Sequence, residues 1–279
     1  MHELPLVFFT VLGQMGAGAV LISALYYLIC NQVPSVLKVE RINIAALVVM
    51  ALAMAIASLH LGHPLRALNV VFGIGRSPMS NEIFTFGVLF GITFASVLLA
   101  YFAKPNKGNK LAAIKKLVNR INKIPAIDKF IAILLIIVSL FFVWTIVATY
   151  MIPTVKNWDT YYTALQMYSA MLILGGILAT VFGIRKIGLT FFIIGSLSVL
   201  VAKLPYINLV SQNVAQLAQA QYCWWIMQCS LLVLAMFITI INTVKNRHST
   251  IIYTFALLLA LVAELSGRIA FYNLWAITM

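Results

Sequence analysis

Acidic side chains are nearly missing from this sequence: six Asp and Glu stand against nineteen Lys and Arg in 279 residues, and charged residues of either sign reach only 9%. A soluble domain carries about a quarter charged residues, so that class is excluded. Histidine is scarce too, and none of His2, His60, His63 and His248 falls in the middle of an apolar run. Bis-histidine ligation needs imidazoles facing each other inside a bundle, so no haem is expected. Cys30, Cys223 and Cys229 lack metal-ligand spacing, which leaves no iron–sulfur cluster or molybdenum site to expect in this chain and makes packing their default role. No run alternates apolar and polar residues as a barrel strand would, and no internal repeat is visible.

What is present is apolar. Hydrophobic residues make up 63% of the chain and mean hydropathy is +1.04. A run of about 20 apolar residues crosses the hydrocarbon core as a helix. Eight such spans are read: Leu6–Cys30, Asn43–Leu61, Glu82–Ala103, Phe130–Ile152, Tyr161–Ile184, Ile187–Leu204, Trp224–Thr243 and Thr250–Tyr272. The expected fold is an all-α integral membrane protein, one eight-helix transmembrane domain over residues 1–279. The start, Met1-His2-Glu3-Leu4-Pro5, has no basic stretch and no small-residue cleavage site, so the first helix is expected to stay uncleaved.

Orientation follows the basic residues. With the N-terminus outside, fourteen Lys and Arg fall in cytoplasmic loops, eight of them in 104–129, against four outside: Arg66, Arg76, Lys156 and Lys203. The positive-inside rule then puts both termini on the periplasmic side of a bacterial inner membrane. Residues 112–120 could form a short basic helix lying against anionic lipid; no nucleic-acid motif accompanies it.

Ionisable residues in or beside spans are functional candidates because lipid makes them expensive. Glu40 and Asp128 sit among basic residues and read as solvated. His60-Leu61-Gly62-His63-Pro64-Leu65-Arg66 closes the second span, Gly62 and Pro64 being a stop signal. Ser80 or Asn81 is the expected N-cap of the third, with Glu82 in its first turn, where the helix dipole favours a carboxylate. His60, Arg66 and Glu82 thus share one membrane boundary, either as an interfacial cap or as a site. Glu264 and Arg268, at i and i+4, can pair, as a structural ion pair or as ligands. A secondary transporter would use Glu82, Glu264 and Arg268 as ion ligands, but the missing repeat and the boundary location speak against it.

Several ordered stretches resemble the membrane anchor subunit of the anaerobic dimethyl sulfoxide reductase family. They are residues 2–6 with 9–14; Leu59-His60-Leu61-Gly62 with Pro64-Leu65-Arg66-Ala67; Ser80-Asn81-Glu82-Ile83; Phe142-Val143-Trp144; and Glu264-Leu265 with Gly267-Arg268 and Phe271-Tyr272. The resemblance spans essentially the whole chain. It implies an anchor that oxidises menaquinol and passes electrons to an iron–sulfur subunit and a molybdopterin catalytic subunit. It places the quinol at His60, Gly62, Arg66 and Glu82, with His60 and Glu82 handling protons. A quinol-oxidising anchor of a polysulfide or tetrathionate reductase would read the same way.

Overall fold

The computed structural model describes residues 4–30, 33–58, 64–103, 112–121 and 123–275, without the side chains of 33–35, 64–68 and 112–114. Apolar runs that cannot leave backbone amides unpaired in lipid must form helices. Nine α-helices are seen among the described residues: α1 (Leu4–Ile29), α2 (Val33–Ser58), α3 (Pro78–Phe102), α4 (Ala112–Ile121), α5 (Ile127–Tyr150), α6 (Tyr161–Val181), α7 (Arg185–Asn213), α8 (Ala215–Val244) and α9 (Thr250–Asn273). A 3₁₀ helix, Pro64–Gly73, precedes α3. All but α4 are long and apolar enough to cross a membrane.

α1 is the central post, packed against α2, α5, α6 and α9. Its middle is built from small residues, Gly13, Gly16, Ala17, Gly18 and Ala19, the composition that lets backbones approach in lipid. Gly18 meets Gly175 of α6 with backbones in contact; a Cβ on either would overlap the other helix's main chain. The outer helices turn Val48, Leu52, Phe84, Phe94, Ile226 and Phe237 outward, as a lipid-facing surface requires.

The antiparallel course puts the α2–α3, α5–α6 and α7–α8 connections on the face where α1 begins and α9 ends. Amides stitch that face together. Asn157 donates to the Leu274 carbonyl at 3.2 Å, Asn213 to Asn157 at 3.4 Å and Asn273 to Gln221 at 2.9 Å. On the opposite face α4 carries Lys115, Lys116 and Arg120, with Val118 buried. The basic helix expected at 112–120 is therefore present.

Three expectations about helix ends change. α2 starts ten residues before the predicted Asn43, because its polar residues are accommodated: Asn43 accepts from Ser23 at 2.6 Å and Glu40 is buried. Asp128, expected in a loop, lies in the first turn of α5, where the dipole favours it, beside the Tyr27 hydroxyl. The sixth and seventh spans were expected to end at Leu204 and start at Trp224. Instead α7 runs through Pro205 to Asn213, and α8 resumes at Ala215 after the single residue Val214. At 29 and 30 residues each is roughly 43–45 Å long, half again the ~30 Å core. The Ala- and Gln-rich 215–221 stretch is polar yet a good helix former, so apolarity alone ended the prediction too early. Lys203, counted with the outer basic residues although it sits at the end of the predicted sixth span, is a buried side chain of α7.

Candidate functional site

The third membrane helix is capped by Ser77, whose side chain accepts from the Ser80 amide at 3.5 Å, with Pro78 in its first turn. Proline pre-forms the first turn and has no amide to satisfy. This corrects the expected cap at Ser80 or Asn81; the Asn81 side chain instead accepts from the Gly75 amide at 2.7 Å, folding the connection back on itself. Glu82 moves from the first turn to the second and points inward, 4% exposed. One turn further, Thr85 meets Thr145 of α5 hydroxyl to hydroxyl at 2.9 Å.

Around the Glu82 carboxyl the bundle gathers polar groups from three other helices. Thr149 of α5 stands beside it, and the Arg268 guanidinium of α9 lies within electrostatic reach. Tyr150, which ends α5, and Tyr272, near the end of α9, are joined hydroxyl to hydroxyl, and both feel the charges of Glu82 and Arg268. Thr10 of α1 approaches the Tyr272 hydroxyl. An aromatic cover closes the cluster: Trp158 stacks on Phe271 with centroids 5.3 Å apart and donates its Nε1–H to the Phe271 carbonyl at 2.8 Å, while Tyr150 stands edge-on to both rings.

Arg268 is held by neutral acceptors. It donates to Gln14 Oε1 of α1 at 2.7 Å and to the Met167 sulfur of α6, and the Gln14 Nε2–H points at the same sulfur at 3.2 Å. Glu264 takes a hydrogen bond from Gln228 Nε2 at 3.3 Å, and Gln228 Oε1 accepts from Lys203 Nζ at 2.7 Å. The Glu264–Arg268 pair expected from their spacing is thus not a hydrogen-bonded one. The two interact electrostatically while each bonds to an amide.

Of the residues singled out from sequence, the structure brings Glu82 and Glu264 within electrostatic reach of Arg268 along this end of the bundle, while Gln228 ties Glu264 to Lys203. His60, Gly62 and His63 lie outside the described residues, as does the Arg66 side chain, although the Arg66 backbone belongs to the 3₁₀ helix leading to α3. Tyr150, Thr149, Trp158, Gln14 and Lys203 were not identified. Their one sequence signal is polarity inside an apolar run, which Gln14 and Lys203 do carry. Among the described residues no group of His, Cys, Asp and Glu has the geometry of a metal site.

Buried carboxylate, guanidinium and paired phenols at one end of the bundle form a set able to hold a small polar head and to move protons. Comparison with known proteins says which family uses this scaffold. The model of the DMSO reductase anchor subunit (DmsC) family matches residues 1–111 and 109–274. The YnfH subunit of an Escherichia coli anaerobic dimethyl sulfoxide reductase is 31% identical over 64% of this chain, an alignment covering 56% of that relative. The C subunit of the anaerobic dimethyl sulfoxide reductase of E. coli is 28% identical and its Haemophilus influenzae counterpart 26%, each over 98% of this chain and 95% of the relative. This multi-pass helical chain belongs to the DMSO reductase anchor subunit family.

Proposed function

We propose that the chain anchors a molybdenum-dependent dimethyl sulfoxide reductase to the bacterial inner membrane and oxidises menaquinol at the Glu82 cluster. The observation that carries this reading is a carboxylate 4% exposed near the end of a membrane helix, within electrostatic reach of a guanidinium and a hydrogen-bonded phenol pair. A buried charge is retained only where something compensates or uses it.

Oxidation of a quinol to a quinone releases two protons and two electrons. Glu82 accepts a hydrogen bond from one quinol hydroxyl and takes its proton. Arg268 offsets the carboxylate charge before the transfer and the negative charge developing on the quinol oxygen during it. His60, which precedes the 3₁₀ helix in sequence, serves the second hydroxyl as a base able to work near neutral pH. The aromatic cover of Trp158 and Phe271 excludes water from the reacting oxygens. Electrons pass to an iron–sulfur subunit and from there to a molybdopterin catalytic subunit.

The surplus of Lys and Arg on the α4 face supports a periplasmic location for the Glu82 face and both termini. It strengthens once Lys203 is a helix residue, since only Arg66, Arg76 and Lys156 then remain on the outer side. The docking surface for the iron–sulfur subunit belongs on the same face, because electron tunnelling falls steeply with distance. The test is oxidation of a menaquinol analogue by the purified complex, comparing wild type with Glu82→Gln and His60→Ala. Loss of quinol oxidation by about 10²-fold or more with the complex still assembled is expected, the scale of general acid–base contributions. Unchanged rates in both variants refute the site.

A further inference from the structure

Among the described residues four Lys, Arg and Glu side chains lie deep in the bundle, Lys203, Glu264, Arg268 and Glu82, each exposed by 5% or less. Their signs alternate from α7 through α9 to α3 and cancel. Within this series one contact is missing that helix geometry favours. A Glu and an Arg four residues apart on one helix are neighbours, and a low-dielectric interior strengthens their attraction. Here Glu264 accepts from the Gln228 amide instead of from the guanidinium, and the two charges keep only their electrostatic attraction. Gln228 Nε2 donates to Glu264 at 3.3 Å and Gln228 Oε1 accepts from Lys203 at 2.7 Å. Room for that amide exists because the residue preceding Arg268 is glycine. A Cβ on Gly267 would overlap Cδ, Oε1 and Nε2 of Gln228, the three atoms nearest to it. Arg268 gives its hydrogen bonds to Gln14 and Met167 instead of to Glu264, and lies within the fields of both Glu264 and Glu82.

We propose that Lys203 is a positioning residue: acting through Gln228, it neutralises Glu264 and so leaves Arg268 to serve as the counter-charge of Glu82. Lys203 touches neither Glu82 nor a quinol bound beside it. Without its ammonium, Glu264 is a buried carboxylate whose best remaining cation is Arg268, one helical turn away. The guanidinium then folds back along α9 and deserts the Glu82 cluster. Gly267 and Gln228 belong to the same device, since together they keep the two α9 charges apart. The inference rests on the reading of Glu82 as the quinol site.

The test measures binding of a naphthoquinone analogue to the purified complex by titration, with thermal stability followed alongside. Lys203→Met is expected to weaken binding about tenfold, within the range of coupling seen for residues that contact neither ligand. Gly267→Ala changes no charge but displaces the Gln228 amide, and should weaken binding similarly. Lys203→Arg keeps the charge and should bind as wild type does. The decisive variant is Lys203→Met combined with Glu264→Gln. A neutral carboxamide no longer competes for Arg268, so binding should return to within about twofold of Glu264→Gln alone, well inside the roughly 1.4 kcal/mol that a tenfold change represents. Wild-type binding by Lys203→Met overturns the proposal. So does a double variant that binds, or folds, no better than Lys203→Met. An analogue that binds Glu82→Gln as tightly as wild type defeats the quinol reading itself, a result distinct from either of these.

Discussion

Substituting alanine for Gly18 puts a methyl group where α1 and α6 touch backbone to backbone. The added Cβ would lie 2.9 Å from the Met171 carbonyl carbon and 3.0 Å from Gly175 Cα, and closer still to the Met171 oxygen. Comfortable carbon–carbon contact begins at about 3.5 Å, and no side chain can rotate away because every obstacle is main chain. The helices must part by roughly 0.5–1 Å. Overpacking of this kind costs about 1–3 kcal/mol, against which alanine's better helix propensity returns up to ~1 kcal/mol. Gly87→Ala supplies the control: its Cβ meets nothing within 4 Å, so it should show the propensity gain alone. The two variants should then differ by about 1–3 kcal/mol, or roughly 2–12 °C in thermal midpoint if the 2–4 °C per kcal/mol of 150–250-residue domains carries over. The strain should also reach the site, because Gln14 and Met167, which hold Arg268, lie one turn from Gly18 and Met171. Thermal unfolding of the purified complex, followed by intrinsic fluorescence, decides it. Gly18→Ala matching Gly87→Ala in stability refutes the close-crossing argument.

Two further substitutions probe individual contacts. Thr85→Val or Thr145→Val removes the 2.9 Å bond between the two hydroxyls, but the hydroxyl left behind keeps its bond to a carbonyl of its own helix. Each single change should therefore destabilise by only about 0.5–1.5 kcal/mol, and the second should add less than the first; a double-mutant cycle in thermal stability reads this, and additive losses count against it. Trp158→Phe keeps the ring on Phe271 but loses the 2.8 Å bond to its carbonyl, for an expected loss of about 1 kcal/mol; an unchanged thermal midpoint contradicts it.

The number and order of the membrane helices were legible in the sequence because lipid leaves an apolar run little choice but helix. Their ends were less so. Polar residues such as Glu40 and Asn43 read as boundaries, yet α1 supplies Ser23 to receive Asn43. The predicted sixth span stops at Leu204, just before Pro205, yet the exposed proline lies within α7. Ser77-Pro78 was an available start signal, one turn upstream of the Ser80-Asn81 pair chosen instead. At the site, Glu82 and Arg268 stood out because charge is rare here. That Arg268 bonds to Gln14, 254 positions away, is a property of helix packing that periodicity does not encode. Tyr150 and Tyr272 end their helices as interfacial tyrosines often do, and nothing local distinguishes a paired phenol from an anchoring one.

The buried series of charges also bears on how the chain is built into the membrane. α9 is synthesised after the other eight helices and carries both Glu264 and Arg268, charges whose burden reaches about 2.5–3.5 kcal/mol at the centre of an isolated span and less toward its end. The helix is otherwise apolar enough to span the membrane, so these two charges are the main cost of placing it there alone. Its partners, Gln14 of α1, Met167 of α6 and Gln228 of α8, are in place by the time it emerges, and they come from the first helix as well as the latest. α9 therefore gains most from a bundle that has already assembled correctly, so the same residues that poise the site also favour a correctly built bundle.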